Sequence, residues 1–393
     1  MSAIGFSVPH PAQLRRFGRV FYPAGLRMQK ALAHGVGEAG LADQLVILEH
    51  DPVFTLGRNA TPADIHMSED FLRSQGVSVH RTDRGGEVTY HGPGQIVAYP
   101  ICNLRGGRED VGRLVRGLEE AMLRTAADFG VTATRLEGAP GIWVATPRGP
   151  EKLGAIGLHL SRWISTHGIA FNVSPNLDHF RWITPCGFTD KGVCSLASLL
   201  GTGAPSWDAA ADRLQEHLVA CLALDLQPAR APSRSVSALT WRRGPERPEI
   251  LMMLRCPDHG LWWQSVTGMM ESGEIPEETA HRELLEETGL VGTLRPLGLS
   301  HSFWVDPTIV RFPDAEPRFN TEICFSMEVA PDAVVQLEPS EHSEYLWCGL
   351  EEAHDRMMWE GSKAAVLLLK QALGACTGGP GEMGSRSNPH PVL

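Results

Sequence analysis

The chain has 393 residues, 42% of them hydrophobic and 21% charged, and at roughly 100–200 residues per domain it is long enough for two or three domains, each with its own core. With 35 Lys and Arg against 46 Asp and Glu the formal charge is −11, which argues against nucleic acid or an anionic membrane as the main partner, though not against a small basic pocket. The eight cysteines, at 102, 186, 194, 221, 256, 324, 348 and 376, form no C-x-x-C pair, and no apolar run approaches the roughly 18 residues of a membrane span, so the expectation is a soluble, cytoplasmic protein without a disulfide framework or zinc site.

In chain order, apolar runs predict strands at Gln44–Glu49 and Gln95–Leu104. A helix is expected over Val111–Phe129, where Leu114, Leu118, Met122 and Phe129 recur on one face. Gly141–Thr146 and Leu153–Leu160, joined by Pro147-Arg148-Gly149-Pro150, read as a β-hairpin, followed by a strand at Ser165–Val173. A second helix should start after Pro205, with Ser206 as N-cap and Leu214, Leu218 and Leu222 buried. The polar stretch QPARAPSRS, Gln227–Ser235, reads as an interdomain linker. Beyond it, strands are expected at Glu249–Leu254 and Glu322–Val329, and a disordered tail from Gly374.

Cys186 sits in RWITPCGFTD, between a proline and a glycine. A thiol with its ordinary pKa near 8.5 is mostly protonated at pH 7, so a nucleophilic cysteine needs a nearby cation or base. Lys152, at the start of the strand after the Pro147–Pro150 turn, is one candidate; a solvated strand-end lysine is the alternative use. The segment Arg84–Gln95, RGGEVTYHGPGQ, has glycines at 85, 86, 92 and 94 that let backbone N–H groups approach a ligand, or simply form two tight turns around a strand.

In order and spacing, DRGGEVTYHGPGQIVAYPI, EKLGAIGLHLSRWISTHGIAFNV and ITPCGFTDKGVCSL, with LEHDPVFTLGR at Leu48–Arg58, resemble the lipoyl(octanoyl) transferase family. The resemblance implies a mixed-sheet domain shared with biotin and lipoate ligases, and acyl transfer with no cofactor and no ATP. By that resemblance Cys186 takes octanoyl from octanoyl-acyl carrier protein as a thioester, Lys152 lowers its pKa, and a lysine of a lipoyl domain receives the chain as an amide. Family substrate contacts fall on Arg84, Gly85, Gly86, Glu87, Val88, Thr89, Tyr90 and His91, on Ala155, Ile156 and Gly157, and on Gly168, Ile169 and Ala170.

Residues 268–290, GMMESGEIPEETAHRELLEETGL, place Pro276 in a first helical turn and Gly289 just past the last. Glu283, Glu286 and Glu287 at i, i+3 and i+4 then share one helix face, and clustered carboxylates suit Mg²⁺ or Mn²⁺ where they are not simply a solvated acidic face. The stretch fits the Nudix box G-x5-E-x7-R-E-U-x-E-E-x-G-U at Gly268, Glu274, Arg282, Glu283, Glu286, Glu287 and Gly289. Such a resemblance implies an α/β/α sandwich that hydrolyses a small-molecule di- or triphosphate. Glu283, Glu286 and Glu287 would be metal ligands with Glu271 assisting, Glu287 also catalytic, Arg282 orienting Glu283, and Glu341 a further ligand or base. WWQSVTGMMESGE is similar to the branch that includes dihydroneopterin triphosphate pyrophosphatase, where Trp262 or Trp263 could stack on a pterin or nucleobase ring.

The expectation is therefore an α+β and α/β two-domain enzyme. Residues 1–227 would form the octanoyltransferase domain, 228–235 the linker, 236–373 the Nudix hydrolase and 374–393 a disordered tail. Two rivals stand beside it. An ATP-dependent ligase would share the first fold and have no need of Cys186; a non-catalytic, ligand-sensing Nudix module would regulate the transferase without turnover.

Overall fold

The computed structural model describes Phe6 and residues 8–184, 191–257, 261–305 and 318–376. Two compact units result, one made of the residues up to 233 together with 301–321, the other of 234–300 and the residues from 322 onward.

The first unit contains β1 (His10–Val20), α1 (Tyr22–Glu38), β2 (Asp43–His50), β3 (Val53–Leu56), α2 (Glu69–Ser74), β4 (Ser78–Arg81), β5 (Val88–His91), β6 (Gln95–Ile101), α3 (Val111–Asp128), β7 (Thr134–Leu136), β8 (Ala139–Thr146), β9 (Gly149–Ser161), β10 (Ile164–Asn172), β11 (Gly192–Val193), α4 (Leu196–Leu200), α5 (Trp207–Leu222) and β12 (Leu224–Gln227). Its main sheet is mixed, in the order β12-β1-β2-β6-β10-β9-β8-β7 with β11 paired to β9, and a small sheet runs β4-β3-β5. Strand β2 is apolar at every other position on both faces because both faces are covered. Leu45 and Ile47 pack with α3 and α5 through Leu114, Leu118, Leu214 and Leu218. Val46 and Leu48 pack with α1 through Met28, Leu32 and Val36. The expected helices, hairpin and strands of this half are all present, and the hairpin turn is tighter than the sequence suggests, since β9 already begins at Gly149.

The second half of the chain supplies β13 (Ser233–Arg243), β14 (Pro248–Arg255), β15 (Trp263–Gln264), β16 (Val266–Met269), α6 (Pro276–Thr288), β17 (Gly292–Trp304), β18 (Phe319–Val329), β19 (His342–Gly349), α7 (Leu350–Arg356) and α8 (Glu360–Cys376). The sheet order is β15-β14-β13-β18-β17, with β16 paired to β13 and β19 to β14. Ala280 and Leu284 of α6 pack on Val236, Leu251, Met253 and Phe325. Helix α6 runs from Pro276 and stops at Gly289, whose φ of +68° is the left-handed C-terminal conformation glycine adopts without strain. Strand β13 begins at Ser233 and β12 ends at Gln227, so the stretch outside regular structure is shorter than the nine residues of Gln227–Ser235. Residues Gly374–Cys376 are helical, and the expected tail beyond them lies outside the described residues. No helix among the described residues is long and apolar enough to cross a membrane.

Candidate functional site

Strand β9 changes partner along its length, and the first candidate site sits at that change. Its first half pairs with β8 on one side and β11 on the other, with Lys152 opposite both Trp143 and Val193. Its second half pairs with β10, setting Ala155 opposite Ala170, Ile156 opposite Ile169 and Gly157 opposite Gly168. A cavity opens there, lined by Lys152, Ala155 and Ala170 with Thr89, Trp143 and Phe180. Lys152 is buried at 8% exposure, and its ammonium lies 4.6 Å from the centre of the Trp143 ring, a cation–π contact. The indole is fixed in turn, because its Nε1–H donates to the Ala139 carbonyl at 2.9 Å.

The polar wall of the cavity is a relay of amides. Gln95 donates to the Asn172 side-chain oxygen at 2.9 Å and to the Tyr90 carbonyl at 3.2 Å. Asn172 donates to the Cys194 carbonyl at 2.9 Å, tying the end of β10 to the chain after β11. His91 and Gln95 share a 2.7 Å bond, and His91 stacks on Tyr22 at 6.1 Å. Burial, reinforced by His50, pushes the His91 imidazole down to about 3, so the ring is neutral and donates from Nδ1 to the Gln95 oxygen.

The second candidate site lies on α6. Arg282 bridges its carboxylates: its guanidinium bonds to Glu274 at 2.7 and 3.0 Å, to Glu283 at 2.8 Å, to Glu286 at 3.1 Å and to the Met269 carbonyl at 3.0 Å. The Arg282 bonds hold the Glu274 carboxyl down at about 2. Glu283 is pushed up by burial and by the charges of Glu286 and Glu341. Glu287, buried at 4% exposure, is pushed well up by burial and by Glu283 and Glu341. Its Oε2 has no hydrogen-bond partner among the described residues. Gly268 leaves the space that the Glu283 carboxyl fills, since a Cβ there would fall well inside contact distance of it. Carboxylates gathered on one helix face, the buried Glu287 among them with one oxygen lacking a partner among the described residues, fit a hard divalent cation. Arg255 stands on the rim, 3.6 Å from Glu341 and over the Trp262 ring at 5.8 Å.

Residues 22–219 match the family model for the lipoyl protein ligase A/B catalytic domain, and residues 231–369 that for the NUDIX domain. An octanoyltransferase of Myxococcus xanthus is 39% identical over 359 residues, covering 89% of this chain and 97% of its own length. The chain belongs to the octanoyltransferase family. An alignment of that extent takes in residues of both halves of the chain. Among solved structures, a Thermoplasma acidophilum lipoate protein ligase aligns with 56% of this chain and 86% of its own, at 16% identity and TM-score 0.45. The E. coli dihydroneopterin triphosphate pyrophosphohydrolase aligns with 35% of this chain and 95% of its own, at 24% identity and TM-score 0.30.

The octanoyltransferase half brings Lys152, Thr89, Ala155 and Ala170 to one cavity, with Ile156–Ile169 and Gly157–Gly168 next along the same two strands. Cys186 lies outside the described residues. The Arg84–His91 segment divides by direction. Arg84 bonds to Thr55 at 2.9 Å and to the Gly85 carbonyl at 3.0 Å, Val88 and Tyr90 join the small sheet's core, and Thr89 faces the cavity. Gly85, Gly86 and Glu87 are half-buried on the approach to β5. Sequence reasoning missed Gln95, Trp143, Asn172, Phe180, Lys191 and Val193, which come to the cavity from separate strands and loops. In the Nudix domain Glu271 is exposed, its backbone N–H bonded to Glu274 at 2.9 Å, and Glu341 is half-buried beside Arg255. Trp262 donates to Gln264 at 3.0 Å and meets Trp359 edge-on, while Trp263 lies under Arg356 at 5.3 Å. Arg255 lies one residue past the expected strand Glu249–Leu254, which β14 extends to include it.

Proposed function

We propose that the N-terminal domain moves an octanoyl group from acyl carrier protein to a lysine of a lipoyl domain through a thioester on Cys186. The observation that carries this reading is Lys152, a cation buried against Trp143 at the wall of a cavity that two facing alanines keep open. The Cys186 thiolate bonds to the octanoyl carbonyl carbon, the bond to the carrier's sulfur breaks, and that sulfur leaves and takes up a proton. The uncharged lysine amine then attacks the new thioester, the amide forms, and the Cys186 thiol is regenerated. Lys152 favours the thiolate by charge. Incubation with octanoyl-acyl carrier protein, without ATP, is expected to add one octanoyl group to Cys186, seen by intact mass and removed by hydroxylamine. Lys152→Met should slow acylation and move its pH dependence upward. No acyl adduct on the wild type, or a strict need for ATP, sinks the reading.

For the second domain we infer metal-dependent hydrolysis of a nucleoside- or pterin-type triphosphate. Glu283, Glu286 and Glu287 would hold Mg²⁺ or Mn²⁺, which when bound supplies the Lewis acidity that makes water a nucleophile towards phosphorus. Arg282 would fix the Glu283 and Glu286 carboxylates in place, and Trp262 offers a ring face for the substrate's base. A panel of nucleoside and pterin triphosphates with the full-length protein, scored for pyrophosphate against phosphate, tests it. EDTA should abolish release and leave octanoyl transfer unchanged.

A further inference from the structure

Strand β10 contains a residue whose backbone conformation a side chain does not favour. His167 has φ +57°, and among the described residues it is the one non-glycine residue with a left-handed φ inside a strand. Arg162 and Trp163 share that conformation, but they make the two-residue turn between β9 and β10, where it is ordinary. Strain of this kind persists only where surrounding interactions enforce it. Here the His167 N–H donates to the side-chain oxygen of Gln29 on α1 at 2.6 Å. The imidazole Nε2 lies 2.8 Å from the Asp83 carboxylate and 3.4 Å from the Thr82 hydroxyl. Burial keeps the His167 ring below its ordinary pKa, so the neutral imidazole donates from Nε2 to Asp83.

Leu158, directly opposite His167 on β9, accepts the Gly85 N–H at 2.9 Å. One rung of the β9–β10 ladder therefore holds residues 83–85 at two points. Gly157 permits the approach, since a Cβ there would lie 3.1 Å from the Arg84 stem. The held segment leads into β5, whose Thr89 lines the Lys152 cavity. Strand β5 belongs to the small sheet, whereas Ala155 and Ala170 of the same cavity belong to the main one. No strand ladder joins the two sheets among the described residues, so their spacing across the cavity depends on bonds of this kind.

We propose that His167 is a positioning residue for acyl transfer: with Asp83 it clips the segment before β5 onto the β9–β10 rung and so sets the spacing of the two sheets that wall the cavity. This rests on the reading that the cavity takes the octanoyl chain. The imidazole acts through the segment it holds, not on the reacting atoms.

Asp83 carries the test, because its side chain is 61% exposed and its loss does not threaten the core. In the full-length protein Asp83→Ala is expected to raise the KM for octanoyl-acyl carrier protein about tenfold and leave kcat within about twofold, the scale of a small misplacement of binding groups. Asp83→Asn keeps an acceptor for the imidazole and should restore KM. Asp83 also lies 3.6 Å from His159, so a double-mutant cycle isolates the clip. Asp83→Ala combined with His167→Gln should be no worse than the worse single variant. Without any ligand, amide hydrogen exchange over residues 82–88 should quicken several-fold in Asp83→Ala. An unchanged KM in Asp83→Ala, an Asp83→Asn variant as impaired as Asp83→Ala, or additive effects in the cycle overturns the proposal. Normal transfer by wild type with no response to Asp83→Ala defeats the clip alone. No transfer by wild type, with exchange that still quickens in Asp83→Ala, defeats the octanoyl-transfer reading and leaves the clip standing as the hold on this segment.

Discussion

Glu287 illustrates how a residue proposed as a metal ligand can be costly to the fold. Its carboxylate is buried beside Glu283 and Glu341, with one oxygen unpartnered among the described residues. Without a cation, burial and the neighbouring carboxylates penalise the charged form of Glu287, so Glu287→Gln should stabilise the metal-free protein, by about 1–3 kcal/mol. The same change should remove most of the stabilisation that Mg²⁺ gives the wild type, which follows RT ln(1 + [Mg²⁺]/Kd). Thermal melts in EDTA and in MgCl₂ check both signs; a wild type insensitive to Mg²⁺ would take the metal away from this cluster. His50 makes a parallel case in the first domain. Its Nδ1–H donates to the Val20 carbonyl at 2.6 Å and its Nε2 accepts from the Tyr99 hydroxyl at 2.6 Å, a pattern only the neutral ring can make. Burial holds it down at about 4, below the 6.5 of an unfolded histidine. The unfolded chain therefore binds the proton first as pH falls, and stability drops from about pH 6.5 towards 4. Between pH 7.5 and pH 5 this residue alone should cost the fold about 2 kcal/mol. Urea midpoints across that range should flatten in His50→Gln, and an unchanged slope would rule His50 out as the source.

At the scale of elements, α5 shows opposite defects at its two ends. The Ser206 hydroxyl accepts from the Ala209 N–H at 3.2 Å, satisfying a first-turn donor, so Ser206→Ala should cost about 1 kcal/mol. Ala223 ends the same helix at φ +51°, ψ +51°, a left-handed conformation that strains a side chain bearing Cβ. Ala223→Gly should therefore gain about 0.5–1 kcal/mol despite glycine's looser unfolded state. Chemical denaturation of the two variants should move the midpoint in opposite directions, and a shift in the same direction would mean the helix ends do not control its stability. Helix α5 was legible because cap, period and preceding proline agree. Helix α1 was not, since YPAGLRMQKALAHGVGE carries three glycines at 25, 35 and 37 that read as breakers. Packing demands two of them: a Cβ at Gly25 would come within 2.9 Å of the His50 ring, and one at Gly35 would strike Leu41. Strand β1 hid for a different reason. Arg15 is buried there at 4% exposure because Gln44 of the next strand accepts from its Nε at 2.8 Å, and nothing in HPAQLRRFGRV announces that partner. The sites follow the same division. The Nudix carboxylates share one helix and could be read from spacing, whereas Trp143, Asn172 and Lys191 meet Lys152 only through the pairing of β8, β10 and β11 around β9.

For the whole molecule the question is whether two chemistries on one chain depend on each other. Each candidate site is assembled from elements of its own half: the cavity from β5, β6, β8, β9, β10 and the chain around β11, the carboxylate cluster from β14, β16, α6 and Glu341. Each half has its own apolar clusters. Sites that share no side chain give additive effects on substitution. Cys186→Ser should therefore abolish octanoyl transfer and leave phosphate release within about twofold of wild type, and Glu287→Gln should do the reverse. The full-length chain is the right material, because the first compact unit also takes in residues 301–321 and a cut near residue 230 would divide it. The double variant should lose both activities with no further change in melting behaviour beyond the sum of the singles. The contrary outcome is well defined. If a Nudix substrate altered the octanoyl-transfer rate several-fold in wild type and this response vanished in Glu287→Gln, the second domain would be acting as a sensor of that ligand. Independence predicts instead that saturating Nudix substrate leaves the transfer rate of both proteins unchanged, at every Mg²⁺ concentration that supports hydrolysis.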